Sequence, residues 1–144
     1  MEMIDQILHL LEDHGLRKTP FRQMVLGTFV EASPRAMSRL EVEQALKESA
    51  IKVDRVTLYR TLKSFEDVGL IHVAIDSSDE QKYALCSDDC SVHQHEDSHA
   101  HFYCKTCQQT FCLEGVTIPR VDVPEAYQLE ETQLVLSGVC EKCT

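Results

Sequence analysis

At 144 residues the chain has room for one domain or two small ones, and a domain of about 70 residues has a marginal core that a structural metal commonly staples. A net charge of −10 argues against strong non-specific nucleic-acid binding but leaves room for a local basic face. Short apolar runs exclude a spanning helix, and the acidic, amphipathic N-terminus is unlike a signal peptide, so a cytoplasmic protein without a membrane partner is expected. The charge is uneven: residues 1–70 hold ten Lys/Arg against eleven Asp/Glu, and residues 71–144 hold four against thirteen. An anionic partner should therefore meet the N-terminal half.

Ile4, Ile7, Leu8 and Leu11 recur with the spacing of an amphipathic helix, which Gly15 can stop. Thr19-Pro20 reads as N-cap and first position of a second helix, with Phe21, Met24, Val25 and Phe29 on its apolar stripe and Ser33-Pro34 beyond its end. Ser38 and Glu41 form a capping box for a third helix that buries Val42, Ala45 and Leu46. Asp54 caps a fourth, whose stripe is Leu58, Leu62 and Phe65 and whose stop is Gly69. Residues 71–75 and 81–85 read as two strands around a polar turn.

Compact helices followed by a hairpin form the pattern of a winged helix-turn-helix, which lays its later helix in the major groove of DNA. Arg55, Thr57, Tyr59, Arg60 and Lys63 lie off the apolar stripe of the fourth helix. Arginine grips guanine or phosphate, and threonine and tyrosine contact phosphate or a thymine methyl group. A solvated face of some other helical bundle would look the same from pattern alone.

After residue 85 the composition changes. All seven cysteines lie from Cys86 onward, and four of the seven histidines fall between 93 and 101. Cys104/Cys107 and Cys140/Cys143 are two Cys-x-x-Cys knuckles, each able to aim two sulfurs at a metal ~2.3 Å away. Together they make a closed four-thiolate zinc site. The 32 residues between them are more than a zinc ribbon uses, so a small sheet should intervene. Free buried thiols are the bland alternative, and disulfides do not suit the expected compartment. Residues 87–98 read as a loop carrying Cys90, His93, His95 and Glu96, which could be solvated or could capture metal. Strands are expected at 100–105, 110–113 and 133–139, with His99 and His101 on one face. Pro119 and Pro124 bar a long helix from the connection.

The ordered set resembles the ferric uptake regulator (Fur) family, with the zinc uptake branch nearest. The matching stretches are Gly15–Arg22, Val53–Leu62, His99–Cys107 and Gly138–Cys143. The resemblance implies an α+β chain with a winged-helix DNA-binding domain over 1–85 and a small α/β dimerisation and metal-binding domain over 86–144. It implies a homodimeric, metal-dependent repressor acting on a double-stranded, palindromic operator. It places structural zinc on Cys104, Cys107, Cys140 and Cys143. It matches Thr57, Tyr59 and Arg60 to the recognition helix and Arg17 to a basic DNA contact, to which the pattern of the fourth helix adds Arg55 and Lys63. It carries His72, Cys86, His99 and His101 to the regulatory metal site, with Cys112 as the extra candidate ligand. Where iron and peroxide sensors of that family place a histidine and a carboxylate, this chain has Ala36 and Cys112. Soft sulfur at Cys86 and Cys112 favours Zn2+ over Fe2+ or Mn2+ as the sensed ion.

Iron, peroxide or haem sensing is the alternative within that family. A different class would be a small zinc enzyme or a zinc-ribbon interaction module. A zinc deaminase needs His-x-Glu before Pro-Cys-x-x-Cys, whereas this chain has His93-Gln-His95-Glu96 and Tyr103 in the proline's place. No enzymatic activity is expected.

Overall fold

The structure is a computed structural model, and it describes residues 2–74, 80–85, 100–113, 116, 118–130 and 132–144. Helix α1 spans Glu2–Asp13 and α2 spans Pro20–Ala32. They pack closely where Gly27 faces Ile7, since a Cβ there would stand 3.3 Å from the Ile7 side chain. The buried stripe of α1 therefore runs through Ile7, Leu10 and Leu11, while Ile4 is 54% exposed. On α2 the expected Met24 turns outward and Leu26 takes its place beside Val25 and Phe29. Both departures are rotations of a stripe whose period was read correctly. The α2 cap is as expected: Arg22 N donates to Thr19 Oγ1 at 3.3 Å, and Pro20, having no N–H, wastes no donor.

A two-residue strand, β1 (Met37–Ser38), precedes α3 (Arg39–Glu48); it is too short to leave a periodic signal. The capping box closes reciprocally, with both Glu41 N to Ser38 Oγ and Ser38 N to Glu41 Oε1 at 3.1 Å. Helix α4 spans Arg55–Asp67 and buries Leu58, Thr61, Leu62 and Phe65. Gly69, at φ +79°, then turns the chain through a conformation that a Cβ would strain. Strands β2 (Ile71–Ala74) and β3 (Lys82–Leu85) form the wing, and the antiparallel sheet runs β1-β3-β2 with His72 opposite Ala84. Leu11, Leu26, Phe29, Leu58, Leu62 and Phe65 centre one core between helices and wing.

The second sheet has the order β5-β4-β6, from β4 (Ala100–Cys104), β5 (Thr110–Leu113) and β6 (Leu134–Gly138). Strands β4 and β5 make an antiparallel hairpin with His101 opposite Cys112, and β6 lies parallel to β4. A parallel neighbour requires a crossover, and the described residues between β5 and β6 cross without a helix, as Pro119 and Pro124 require.

The two sheets are sewn together through the chain before β1. Cys112 N donates to Pro34 O at 2.8 Å and Ala36 N donates to Thr110 O at 2.7 Å, so residues 34–36 run antiparallel to β5. Arg35 reaches from there to Glu41 and to Gln109, both at 3.0 Å. Beneath this seam Ala36, Ala74, Ala84 and Cys112 form a second buried cluster. No described helix is long and apolar enough to cross a membrane.

Candidate metal centres and nucleic-acid face

The hairpin turn after β4 carries Cys104 and Cys107, and the turn after β6 carries Cys140 and Cys143. Because β6 lies parallel to β4, both knuckles emerge at the same end of the sheet. The four sulfurs lie within 4.8 Å of one another, and Cys107 Sγ stands 3.9 Å from Cys140 Sγ. Tetrahedral zinc with sulfur ligands needs an edge of roughly 3.8 Å, which the Cys107–Cys140 pair matches, so the donor set suits that ion. The backbone N–H groups of Cys107 and Cys140, each 3.4 Å from Cys104 Sγ, draw the Cys104 thiol down to about 6. The Cys140 side chain and burial push Cys143 up to about 12.

The second constellation straddles the seam. His72 comes from β2 of the wing, and His101 and Cys112 come from facing positions of β4 and β5. One ligand atom from each falls within a 4.8 Å group. His72 Nε2 and His101 Nε2 are 3.2 Å apart, close to the roughly 3.3 Å edge between two imidazoles on tetrahedral zinc. His101 and Cys112 are buried and His72 is half-buried. The donor set suits a soft, four-coordinate ion, and the described residues supply three of the ligands. Cys86, Cys90, His93, His95, Glu96 and His99 lie outside the described residues.

On α4 the expected nucleic-acid residues divide. Thr57 completes the cap, donating N–H and Oγ1 to Asp54 Oδ2 at 3.2 and 2.6 Å, and these bonds hold the Asp54 carboxyl below its usual range. Arg55 Nε points back to Glu43 Oε1 at 3.4 Å, and Lys47 meets the same oxygen. Burial pushes the Glu43 carboxyl up, but the bonds from Arg55 and Lys47 outweigh it and the net shift is down. Lys63 pairs with Asp67 at 3.2 Å. Tyr59, 57% exposed, and the exposed Arg60 project outward. Val56, 56% exposed, shares the outward face with Arg60 and Lys63, although an apolar residue near a helix start reads as core in the sequence. Arg17 is exposed, and its carbonyl accepts from Arg22 Nη1. Lys82 likewise carries no signal in the sequence. A lone charge in a strand reads as surface, yet it is 4% exposed.

A winged helix joined to a small sheet with one four-thiolate cluster and one mixed His/Cys cluster defines a metal-dependent DNA-binding protein. The family model described as "Ferric uptake regulator family" matches residues 13–137, and the chain belongs to that family. Its members are dimeric, metal-binding transcription regulators rather than enzymes. The ferric uptake regulation protein of Synechococcus elongatus is 26% identical over 138 residues, covering 92% of this chain and 89% of its own. Among solved structures, a zinc uptake regulator complexed with zinc and DNA superposes with a TM-score of 0.67 at 23% identity, covering 99% of this chain and 93% of its own. The ferric uptake regulator of Pseudomonas aeruginosa with manganese superposes with a TM-score of 0.59 at 24% identity, covering 92% and 96%.

Proposed function

We propose that this chain is a zinc-responsive repressor, cytoplasmic and homodimeric, that binds a palindromic double-stranded operator. The observation that carries the reading is the His72–His101–Cys112 cluster, whose ligands come from both sides of the seam between wing and second sheet. Bound there, zinc would supply a cross-link between the two. Cys112 is the discriminating ligand, because thiolate prefers zinc to the harder Fe2+ and Mn2+. Cys86, which follows β3, and His99, which precedes β4, are the proposed completing ligands. Cys90, His93, His95 and Glu96 are proposed as accessory ligands only.

In this reading residues 1–85 bind DNA and residues 86–144 dimerise and hold metal. Cys104, Cys107, Cys140 and Cys143 hold the structural zinc. The exposed Val121, Val123, Tyr127, Leu129 and Val139 support an apolar dimer surface there. Tyr59 and Arg60 meet bases, with Arg17, Arg55, Thr57 and Lys63 in support. Two α4 helices must enter successive major grooves ~34 Å apart. Fixing each wing against the dimer core sets that spacing.

The test is metal analysis of the purified protein beside DNA binding after selection from a random duplex pool. One zinc per cluster, hence two per chain, and binding that is lost to chelator and restored by zinc at lower concentration than by manganese or iron are expected. Restoration by iron or manganese in preference to zinc would transfer the reading to the iron-sensing alternative, which the name of the Synechococcus relative favours.

A further inference from the structure

We propose that Lys82 is a positioning residue that latches the wing to the second sheet and thereby sets how much zinc the switch requires. The proposal rests on the zinc-responsive reading of the seam, and its own latch is independent of any metal. Lys82 opens β3, directly opposite Ala74, the last residue of β2. Its side chain leaves the wing and enters the β4–β5 hairpin, where it is buried. The ammonium donates to Gln108 O at 3.2 Å and to Thr110 Oγ1 at 3.3 Å, and it stands 5.6 Å from the centre of the Tyr103 ring. One cation thus meets a backbone carbonyl, a fully buried hydroxyl and an aromatic face, all on the far side of the seam.

The place it grips is special. Gln108 has a left-handed backbone, φ +61°, which a side-chain-bearing residue holds only when its surroundings fix it. Lys82 binds the carbonyl of that residue. The same turn carries Gln109, whose Oε1 accepts from Arg35, and it directly follows the Cys107 knuckle. Thr110 also accepts the Ala36 N–H, so the latch and the backbone seam share a residue. Loosening Lys82 should therefore loosen the Ala36 and Cys112 amide bonds. The ligand-competent arrangement would then be less populated before metal arrives, and apparent metal affinity falls in proportion to that population.

A purely electrostatic role gives the opposite sign. A lysine near a cation site repels the cation, so removing it would tighten zinc binding. The full-length dimer carrying Lys82→Met keeps the length and apolar stem but has no donor. The zinc concentration for half-maximal binding of the selected duplex should rise about tenfold, while affinity at saturating zinc stays within about twofold of the parent. In chelated protein without DNA, amide exchange at Ala36 and Cys112 should quicken about tenfold. Thr110→Val removes the hydroxyl acceptor without changing shape and should move both readouts the same way. It also decides the matter if Lys82→Met fails to fold. The double variant should be no worse than Lys82→Met alone. Unchanged exchange at Ala36 and Cys112, a lower zinc requirement, or a uniform loss of DNA affinity at every zinc concentration would each overturn the proposal. If the parent shows no zinc-dependent binding, the zinc reading fails, and the exchange measurement still decides the latch.

Discussion

His101 and Cys112 face each other across one rung of the second sheet, and among the described residues of the cluster His72 comes from the wing. Their replacements should therefore separate two properties. His101→Ala should leave the four-thiolate zinc in place and lose the second zinc, read as metal content falling by one per chain. Cys112→Ser should weaken zinc far more than manganese, because a hydroxyl is a poor ligand for a soft ion and a tolerable one for a hard ion. Competition with a chromogenic chelator measures both, and equal weakening of the two metals would remove Cys112 from the ligand set. At this scale the sequence was informative wherever chemistry is concentrated in residue type. Cysteine and histidine at close spacing announce themselves; resemblance to a family pattern points to His72 and His101, and Cys112 stands out as sulfur where that pattern has a carboxylate. Lys82 was not legible. Its partners include a backbone carbonyl, a threonine and a ring 21 to 28 residues further along the chain, and nothing in its neighbours signals burial.

Helix ends were the most legible elements. Thr19-Pro20, the Ser38/Glu41 box and Asp54 each cap the helix expected of them, because a cap is a contact within three residues. Asp54→Ala should cost about 1 kcal/mol of folding stability, seen as a lower urea midpoint at unchanged slope. Stripe rotation was less legible, since Met24 and Leu26 differ only in which neighbour they face. On α4, Arg60→Ala should weaken selected-duplex binding by ~1–3 kcal/mol with zinc content and dimer intact. The knuckles add a pH dependence. Cys104, drawn down to about 6 by two backbone N–H groups, is ionised at neutral pH. Cys143, pushed up to about 12 by Cys140, holds its proton. For Cys107 the Gln109 backbone N–H and Cys143 pull down, but burial and the Cys104 and Cys140 sulfurs prevail, and it too is raised. Zinc entry must then displace at least two protons. Apparent zinc affinity of this cluster should rise with pH by roughly a hundredfold per unit near neutrality. A pH-independent affinity would contradict the assigned protonation.

For the molecule as a whole, helices followed by a hairpin followed by a knuckled sheet could be read along the chain, because each element is local. The seam could not. Residues 34–36 pair with β5 across more than seventy positions of sequence, and β1 is too short to suggest a partner. That seam makes the regulatory reading mechanical: the metal ligands, the backbone ladder and Lys82 all join the same two bodies. Charge is divided along the chain as well, with ten of the fourteen basic residues in residues 1–70, the half proposed to meet DNA. Salt should therefore weaken operator binding steeply while leaving dimer mass unchanged in sedimentation. The central claim is that metal at His72, His101 and Cys112 governs DNA affinity. Its most direct test is the affinity of the parent and of His101→Ala for the selected duplex across buffered free zinc. The account predicts a steep zinc dependence in the parent and a flat, weak response in His101→Ala with the four-thiolate zinc still bound. A variant that retains the parent's zinc response would contradict it.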